Sequence, residues 1–416
     1  MDIGTAAETD TVSGIVAALR RMVGEQSPDF LLLLGDETIV PVAEWENEAG
    51  DGDETVLSDF AYAVMDSESP WNGRRYDLAS AIRVGRIPTW PGETLAEFAA
   101  YFENADRAID RTVAPYGLSA LVWEAESNLE FGRISSDSVR TSPDETLDSG
   151  GGRVPSPANL LFFNLHGSDD TEYWYGQNGS KYPEAFSPAV LGNRDNPYVL
   201  GVEACYGARY TDGLKPKESI LLTAICGGCK AFLGSSKIAY GTPDPPGSCA
   251  DFVVGEFVAK IKDGATAGDA FVAGLRRLAE DSSMDDSDIK TLAEFALYGD
   301  PAVSLCGADG SSGKAVPGVV RTGRIPVPMP DVRGAMRLAL ATVDDKIART
   351  IDEFAASRLF QGSVAPGEAA SLRKTFRLGT TELFQNVYSL RTAAGPSVAK
   401  VYFDERGNIT KAVVSK

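Results

Sequence analysis

Histidine is nearly absent from this chain, which holds one, His166, in 416 residues. Cysteine is sparse and odd in number: Cys205, Cys226, Cys229, Cys249 and Cys306. Five scattered thiols do not make a disulfide framework, so a reducing compartment is the simpler expectation. Cys226-Gly-Gly-Cys229 has no second cysteine pair and no further histidine to complete a zinc site. It reads as a helix stop at Gly-Gly rather than a metal or redox motif. Basic residues are outnumbered 39 to 59, and the resulting charge of −20 argues against nucleic-acid binding, which needs Lys and Arg on phosphates. No apolar run approaches the roughly eighteen residues of a membrane helix. The opening MDIGTAAETDTVSG lacks the basic and apolar regions of a signal peptide, so a cytoplasmic protein is expected, or a secreted one if a leader has been trimmed.

The composition that remains, 43% hydrophobic and 24% charged, is that of an ordinary globular protein large enough for two domains. From about residue 10 to 305 helix and strand patterns alternate. TVSGIVAALRRMVG reads as a helix, and FLLLLGD as a strand of the kind covered on both faces. AIRVGRIPTW, LSALVWEA, ANLLFFNLHG, PYVLGVEACYG and CKAFLGSS read as further strands, and LYGDPAVSL closes the unit. GETLAEFAAYFENADRAI, a segment near Ser135 to Arg140, KESILLTAICGG and three segments between Cys249 and Leu297 read as helices. Such alternation implies an α/β fold with an open, mostly parallel sheet and helices on both faces. The expected domain is 1–306, followed by a Gly/Ser linker at 307–320 and a small α+β accessory domain at 321–416. In that tail, MRLALATVDDKIARTIDEFAASRLF and SLRKTFRLGTTELFQNVY read as helices. The end reads as a meander of about three strands with turns at Gly-Pro-Ser and Glu-Arg-Gly-Asn.

Two strand ends carry the chemistry. NLLFFNLHG stops at His166-Gly167, and YVLGVEACYG stops at Cys205. Sites of open parallel sheets lie beyond the carboxyl ends of the strands, and sequential strands tend to be neighbours. His166 and Cys205 are then expected to face each other, the imidazole sharing the thiol proton and the thiolate attacking. Gly167 leaves backbone N–H groups open to an oxyanion. A lone histidine, or a cysteine closing an apolar strand, is ordinary on its own; the two together are the unusual feature.

These segments resemble the caspase-like (clan CD) cysteine peptidases, whose signature is an apolar strand ending in His-Gly and another ending in Ala-Cys. The closest resemblance is to the gingipain-type family, peptidase family C25. FLLLLGDETIVP, YDLASAIRVGRIP and LYGDPAVSL resemble its flanking segments in the same order, over roughly residues 10 to 306. The resemblance implies a cysteine endopeptidase acting through a Cys205–His166 dyad and an acyl-enzyme, with the Gly167 and Cys205 N–H groups as oxyanion donors. It implies that Glu126 orients His166, and that Asp137, eleven residues on, selects Arg or Lys at P1. It also implies that Tyr240 in SSKIAYGTP lines the S1 wall. Arg133 is a rival to Asp137 and would select acidic residues. No cofactor is needed.

Asp169, Asp170 and the Asp-rich stretch at 51–66 are candidate calcium ligands but read more simply as solvated loop acids. The accessory domain departs from the family pattern. Support for the catalytic domain is its expected role, with a regulatory partner or a cover over the site as alternatives. The expected partner is a protein or peptide substrate. A catalytically silent scaffold that binds a protein partner, and a transpeptidase, are the rival readings. A flavodoxin-like nucleotide binder would need a Gly-rich loop after the first strand, where LLLLGDETIVP has one glycine.

Overall fold

The apolar runs assemble into one eight-stranded sheet. In chain order its strands are β1 Phe30–Leu34, β2 Arg83–Ile87, β3 Tyr116–Ala120, β4 Arg140–Ser142, β5 Leu160–Asn164, β6 Tyr198–Val202, β7 Cys229–Ser235 and β9 Phe295–Gly299. β8, Tyr240–Gly241, belongs to a second sheet. The structure, a computed structural model, describes residues 11–23, 28–72, 75–78, 81–103, 109–110, 112–147, 154–191, 194, 196–280, 284–306, 327–328, 345–360, 370–378 and 381–416.

The spatial order is β1-β2-β9-β7-β6-β5-β3-β4. All pairs are parallel except β9 with β7, so the expected mostly parallel sheet is observed with one reversal. β5 and β6 are buried along their whole length because helices cover both faces. On one face Phe162, Val199 and Leu233 pack with α5 (Ala250–Lys262), α6 (Ala267–Ala279) and α7 (Asp286–Glu294). On the other, Leu161, Phe163, Leu200 and Phe232 pack with Leu221 and Leu222 of α4 (Ile220–Cys226). Earlier in the chain are α1 (Val12–Val23), α2 (Leu95–Glu103) and α3 (Glu124–Phe131). β1 is an edge strand with Phe30 and Leu34 exposed, not the doubly covered strand its composition suggests. The helix expected near Ser135 is displaced: α3 precedes it, and Arg140–Ser142 is strand β4.

The three flanking motifs meet at one place. Arg86, fully buried, pairs with Asp59 at 2.6 Å and donates to the carbonyls of Gly35 and Val40. Beside it Gly85 lies flush on Gly299 and Pro301, where a Cβ would collide.

The accessory region forms an antiparallel meander of β10 Ala370–Leu378, β11 Thr381–Thr392, β12 Gly395–Phe403 and β13 Ile409–Ser415. Its sheet is completed by β8, which follows β7 of the eight-stranded sheet, in the order β8-β13-β12-β11-β10. The helix expected over SLRKTFRLGTTELFQNVY is instead the hairpin β10–β11. Leu372, Phe376 and Leu378 alternate with polar residues, a period of two that the helical reading overlooked. Of the preceding expected helix, α8 Asp345–Phe354 and a π turn at Ala355–Leu359 are observed; 336–344 and the linker 307–320 lie outside the described residues. Among the described residues no helix is long and apolar enough to cross a membrane.

Candidate active site

β5 and β6 run side by side, with Phe163 opposite Val202 and the Glu203 N–H donating to Phe163 O at 3.0 Å. His166 and Cys205 each follow three residues beyond that last pair, so both emerge at the same sheet edge. The backbone there is packed tightly: a Cβ on Gly167 would strike Cys205 O. One oxygen marks the convergence. The Lys416 main-chain O accepts from Cys205 N at 2.9 Å and Gly167 N at 3.4 Å.

Lys416 arrives there through β13, which pairs antiparallel with β8, Ser415 opposite Tyr240 and Val414 opposite Gly241. Its own N–H donates to Ala239 O at 3.0 Å. Its side chain enters a closed pocket and is 1% exposed as a residue. The ammonium lies 3.0 Å from Asp251 Oδ1, 3.7 Å from Glu203 Oε2, and 4.4 Å from the centre of the Trp123 ring. Such a cation over an indole face is attractive, more so when desolvated. Gly241 keeps the pocket open, since a Cβ there would overlap Lys416 Cε.

The three pocket carboxylates are not equivalent. Asp251 Oδ2 accepts from Thr242 N at 2.8 Å and Ser248 N at 2.9 Å, which fixes the group and leaves Oδ1 for the ammonium. Burial pushes the Asp251 carboxyl up, but Lys416 and these hydrogen bonds outweigh it and hold the group below its ordinary value. Burial and the neighbouring Asp251 charge push Glu126 up to about 9, and raise Glu203 well above the carboxylate range. Of the three, Asp251 is therefore the carboxylate whose charged form is favoured opposite the ammonium. These same carboxylates are close enough to hold a metal ion, but here the charge they enclose is the ammonium of Lys416.

His166 is held from the other side. Its Nε2 lies 2.7 Å from Gln177 Oε1, while Gln177 Nε2 donates to Gly179 O and Tyr182 Oη. With the amide oriented this way, Nε2 carries the imidazole proton and Nδ1 is left with a lone pair. Trp123 lies 4.3 Å away, ring centre to ring centre. Burial lowers the His166 pKa to about 4, Gln177 opposing and Lys416 reinforcing. Burial pushes the Cys205 thiol up, and Sγ lies 3.5 Å from Ala239 O.

The structure thus brings the Gly167 and Cys205 N–H groups onto one main-chain oxygen, with His166 next to Gly167 in the chain, and assigns other surroundings to the remaining candidates. Glu126 is buried in the Lys416 pocket with Oε2 3.4 Å from Asn164 Nδ2; the hydrogen bond to His166 comes from Gln177. Glu126 falls on α3 because the strand ends at Ala120, five residues earlier than the apolar pattern suggested. Asp137 is exposed, its N–H bonded to Ser135 Oγ, and the carboxylate at the ammonium is Asp251. Arg133 pairs with Glu130 and Glu256. Tyr240 contributes main chain to the cleft, while its hydroxyl donates to Asp51 at 2.7 Å. Asp51 and Asp53, candidate calcium ligands by sequence, enclose the Lys290 ammonium at 2.7 and 2.6 Å. Asp170 accepts from Ser168 and lies 3.4 Å from Arg391. Cys226 ends α4 and Cys229 is buried in β7; both are free thiols. Gln177, Glu203, Asp251 and Lys416 escape sequence reading because each comes from a different segment. The Gly-Gln-Asn-Gly turn soon after His166 is the one local signal for Gln177.

The model of peptidase family C25 matches residues 5–120. Among solved structures, gingipain R, an Arg-specific cysteine proteinase, is similar with a TM-score of 0.51 and 12% identity, covering 100% of this chain and 83% of that one. A second protease structure gives a TM-score of 0.46 and 13% identity, over 96% and 87% of the two chains. Comparison with curated proteins finds no match. The chain therefore has the caspase-like α/β fold of gingipain R, and its N-terminal segment matches peptidase family C25.

Proposed function

We propose that the protein is a cysteine endopeptidase that cleaves after lysine. The observation that carries this reading is Lys416 itself. Its carbonyl oxygen meets the Cys205 and Gly167 N–H groups while its ammonium meets Asp251, the arrangement a P1 residue needs. Lysine suits the pocket better than arginine. Asp251 Oδ2 is already committed to Thr242 and Ser248, so the bidentate pairing that favours a guanidinium is not on offer. A compact ammonium needs only Oδ1.

In the reaction, Sγ of Cys205 bonds to the scissile carbonyl carbon as its proton passes to Nδ1 of His166. The carbonyl electrons move onto the oxygen held by the two N–H groups. The C–N bond then breaks, the nitrogen takes the proton from the imidazolium, and the amine departs from a thioester. Water, giving a proton to His166, attacks the thioester; the C–S bond breaks and the thiol recovers its proton. Gln177 keeps Nε2 protonated throughout, so that Nδ1 is the nitrogen free to cycle. A groove lined by Ser168, Thr171, Trp174, Tyr206 and Gly207 adjoins the site, on the side where the leaving peptide would lie.

A fluorogenic panel varying P1 tests the reading on the full chain carrying Lys416→Ala, which vacates the Asp251 pocket, and on the same chain with Cys205→Ala or Asp251→Asn added. Lys peptides should turn over fastest, Cys205→Ala should abolish turnover, and Asp251→Asn should lower kcat/KM for Lys by on the order of 100-fold. Absence of turnover for Lys, Arg, Asp and Asn substrates alike would leave the silent scaffold as the better reading. Competition by an added amine separates a transpeptidase from a hydrolase.

A further inference from the structure

Resting on the peptidase reading above, we propose that the strand Ile409–Ser415 together with Lys416 is a tethered, substrate-like inhibitor of the chain's own cleft. Four observations carry it. The strand is added antiparallel to β8, as an extended peptide adds to a sheet edge, with main-chain pairing for affinity and a side-chain pocket for specificity. Lys416 fills that pocket and its carbonyl oxygen fills the oxyanion position. Cys205 and His166 are consequently sealed, 2% and 6% exposed, with Val387, Val398, Tyr402 and Val413 of the meander in the same apolar cluster as Cys205.

The fourth observation is the docking surface behind the strand. Asp285, Asp286 and Asp288, at the start of α7, receive the meander's cations. Lys411 Nζ lies 2.9 Å from Asp285 and 2.6 Å from Asp288; Lys400 Nζ lies 3.3 Å from Asp286, to which Tyr402 also donates at 2.6 Å. The strand is thus delivered in register rather than left to find the cleft. Tethering presents it at an effective concentration on the order of millimolar, which a free substrate must overcome. The accessory domain is a cover over the site, and peptidase activity requires the strand to leave.

The test uses the full chain carrying Cys205→Ala, so that binding is read without turnover. A fluorescein-labelled peptide, Lys-Ala-Val-Val-Ser-Lys, is titrated and its anisotropy followed. Placing Lys416→Glu in that background drives the side chain at 416 from the acidic pocket, and affinity for the peptide should rise at least about tenfold over the intact strand. Lys416→Ala, which adds no like charge, is measured alongside so that misfolding of one variant does not decide the outcome. Equal affinity with and without the substitutions, or no binding to either substituted protein, overturns the proposal. Failure of the peptidase reading registers separately: Lys416→Ala with Cys205 retained would bind the peptide but hydrolyse no Lys substrate.

Discussion

Lys290 and Lys416 each sit buried among carboxylates, and the two cages differ in kind. Lys290 is surrounded by Asp51 and Asp53, with Glu294 at 3.8 Å. The two aspartates are saturated: Asp51 also accepts from Asn47 and Tyr240, and Asp53 from Tyr206 and Ile238 N. Burial raises the Asp51 carboxyl, but Lys290 and Lys400 outweigh it and bring the group down to about 2. Lys416 is enclosed by Asp251, Glu203 and Glu126, and of its salt-bridge partners only Asp251 comes as close as 3.0 Å, Glu203 standing off at 3.7 Å. A saturated cage is a piece of architecture. One with a single close aspartate, its neighbouring carboxyls pushed up by burial, is a pocket whose occupant can be exchanged.

The sharpest way to break this comparison is to remove each lysine. Lys290→Met leaves two ionised aspartates buried and unpaired, and should cost about 3–5 kcal/mol of stability. Lys416→Met removes a cation from a pocket that water can enter once the strand lifts, and should cost about 1 kcal/mol. Urea unfolding of both variants measures the pair. Equal losses would make the Lys416 cage structural and undo the distinction.

Acid should separate the two regions next. Burial lowers His166 from 6.5 to about 4 in the docked state, which therefore favours neutral imidazole. Above pH 6.5 His166 costs docking nothing. As pH falls from 6.5 towards 4 the open state takes up a proton that the docked state refuses, weakening docking by up to about 3 kcal/mol at pH 4. Asp251, held low by Lys416, acts with the same sign further down. Asp51, at about 2, keeps its charge across that range. The raised Glu126, Glu203 and Asp285 carboxyls act in the opposite sense, so the His166 contribution is read as a difference. Hydrogen exchange, corrected for intrinsic rates, should show protection at 409–416 falling more steeply from pH 7 to 4 in the wild type than in His166→Gln, while amides of α7 around Lys290 stay protected in both. Protection lost in step across both regions would mean that a global transition, not the site, is being titrated.

The same contrast explains what could be read in the sequence. Continuous apolar runs such as LLFFN and YVLGV specify buried parallel strands, and their ends specify a sheet edge, so His166, Gly167 and Cys205 were legible together. Arg86 and its glycine neighbours were legible as motifs because each is a local backbone requirement. The pocket was not. Its carboxylates come from α3, the end of β6 and α5, and its floor loop is fixed by contacts between Asp251 and residues 242–248. Glu126 carries no mark in the sequence of whether it orients an imidazole or lines a pocket; that depends on where β3 ends. The hairpin β10–β11 is hard to read because Lys374 puts a charge where its twofold alternation calls for an apolar residue.

The smallest expected effect is the most discriminating within the pocket. Glu126 is pushed up to about 9 by burial and by the Asp251 charge, so at pH 7 it is a neutral acid beside an ionised one. Glu126→Gln preserves shape and neutrality and still offers an oxygen to Asn164 Nδ2. Stability at pH 7 should change by less than about 0.5 kcal/mol, within the range of substitutions that remove neither charge nor packing. The kcat/KM for Lys peptides should stay within about twofold, against the large loss expected for Asp251→Asn. If Glu126→Gln proved as damaging as Asp251→Asn, Glu126 would have to be ionised, and the ammonium of Lys416 would be held by two charges as Lys290 is. The pocket would then be a second structural cage, and a substrate lysine would have to displace a salt-bridged residue rather than replace an exchangeable one.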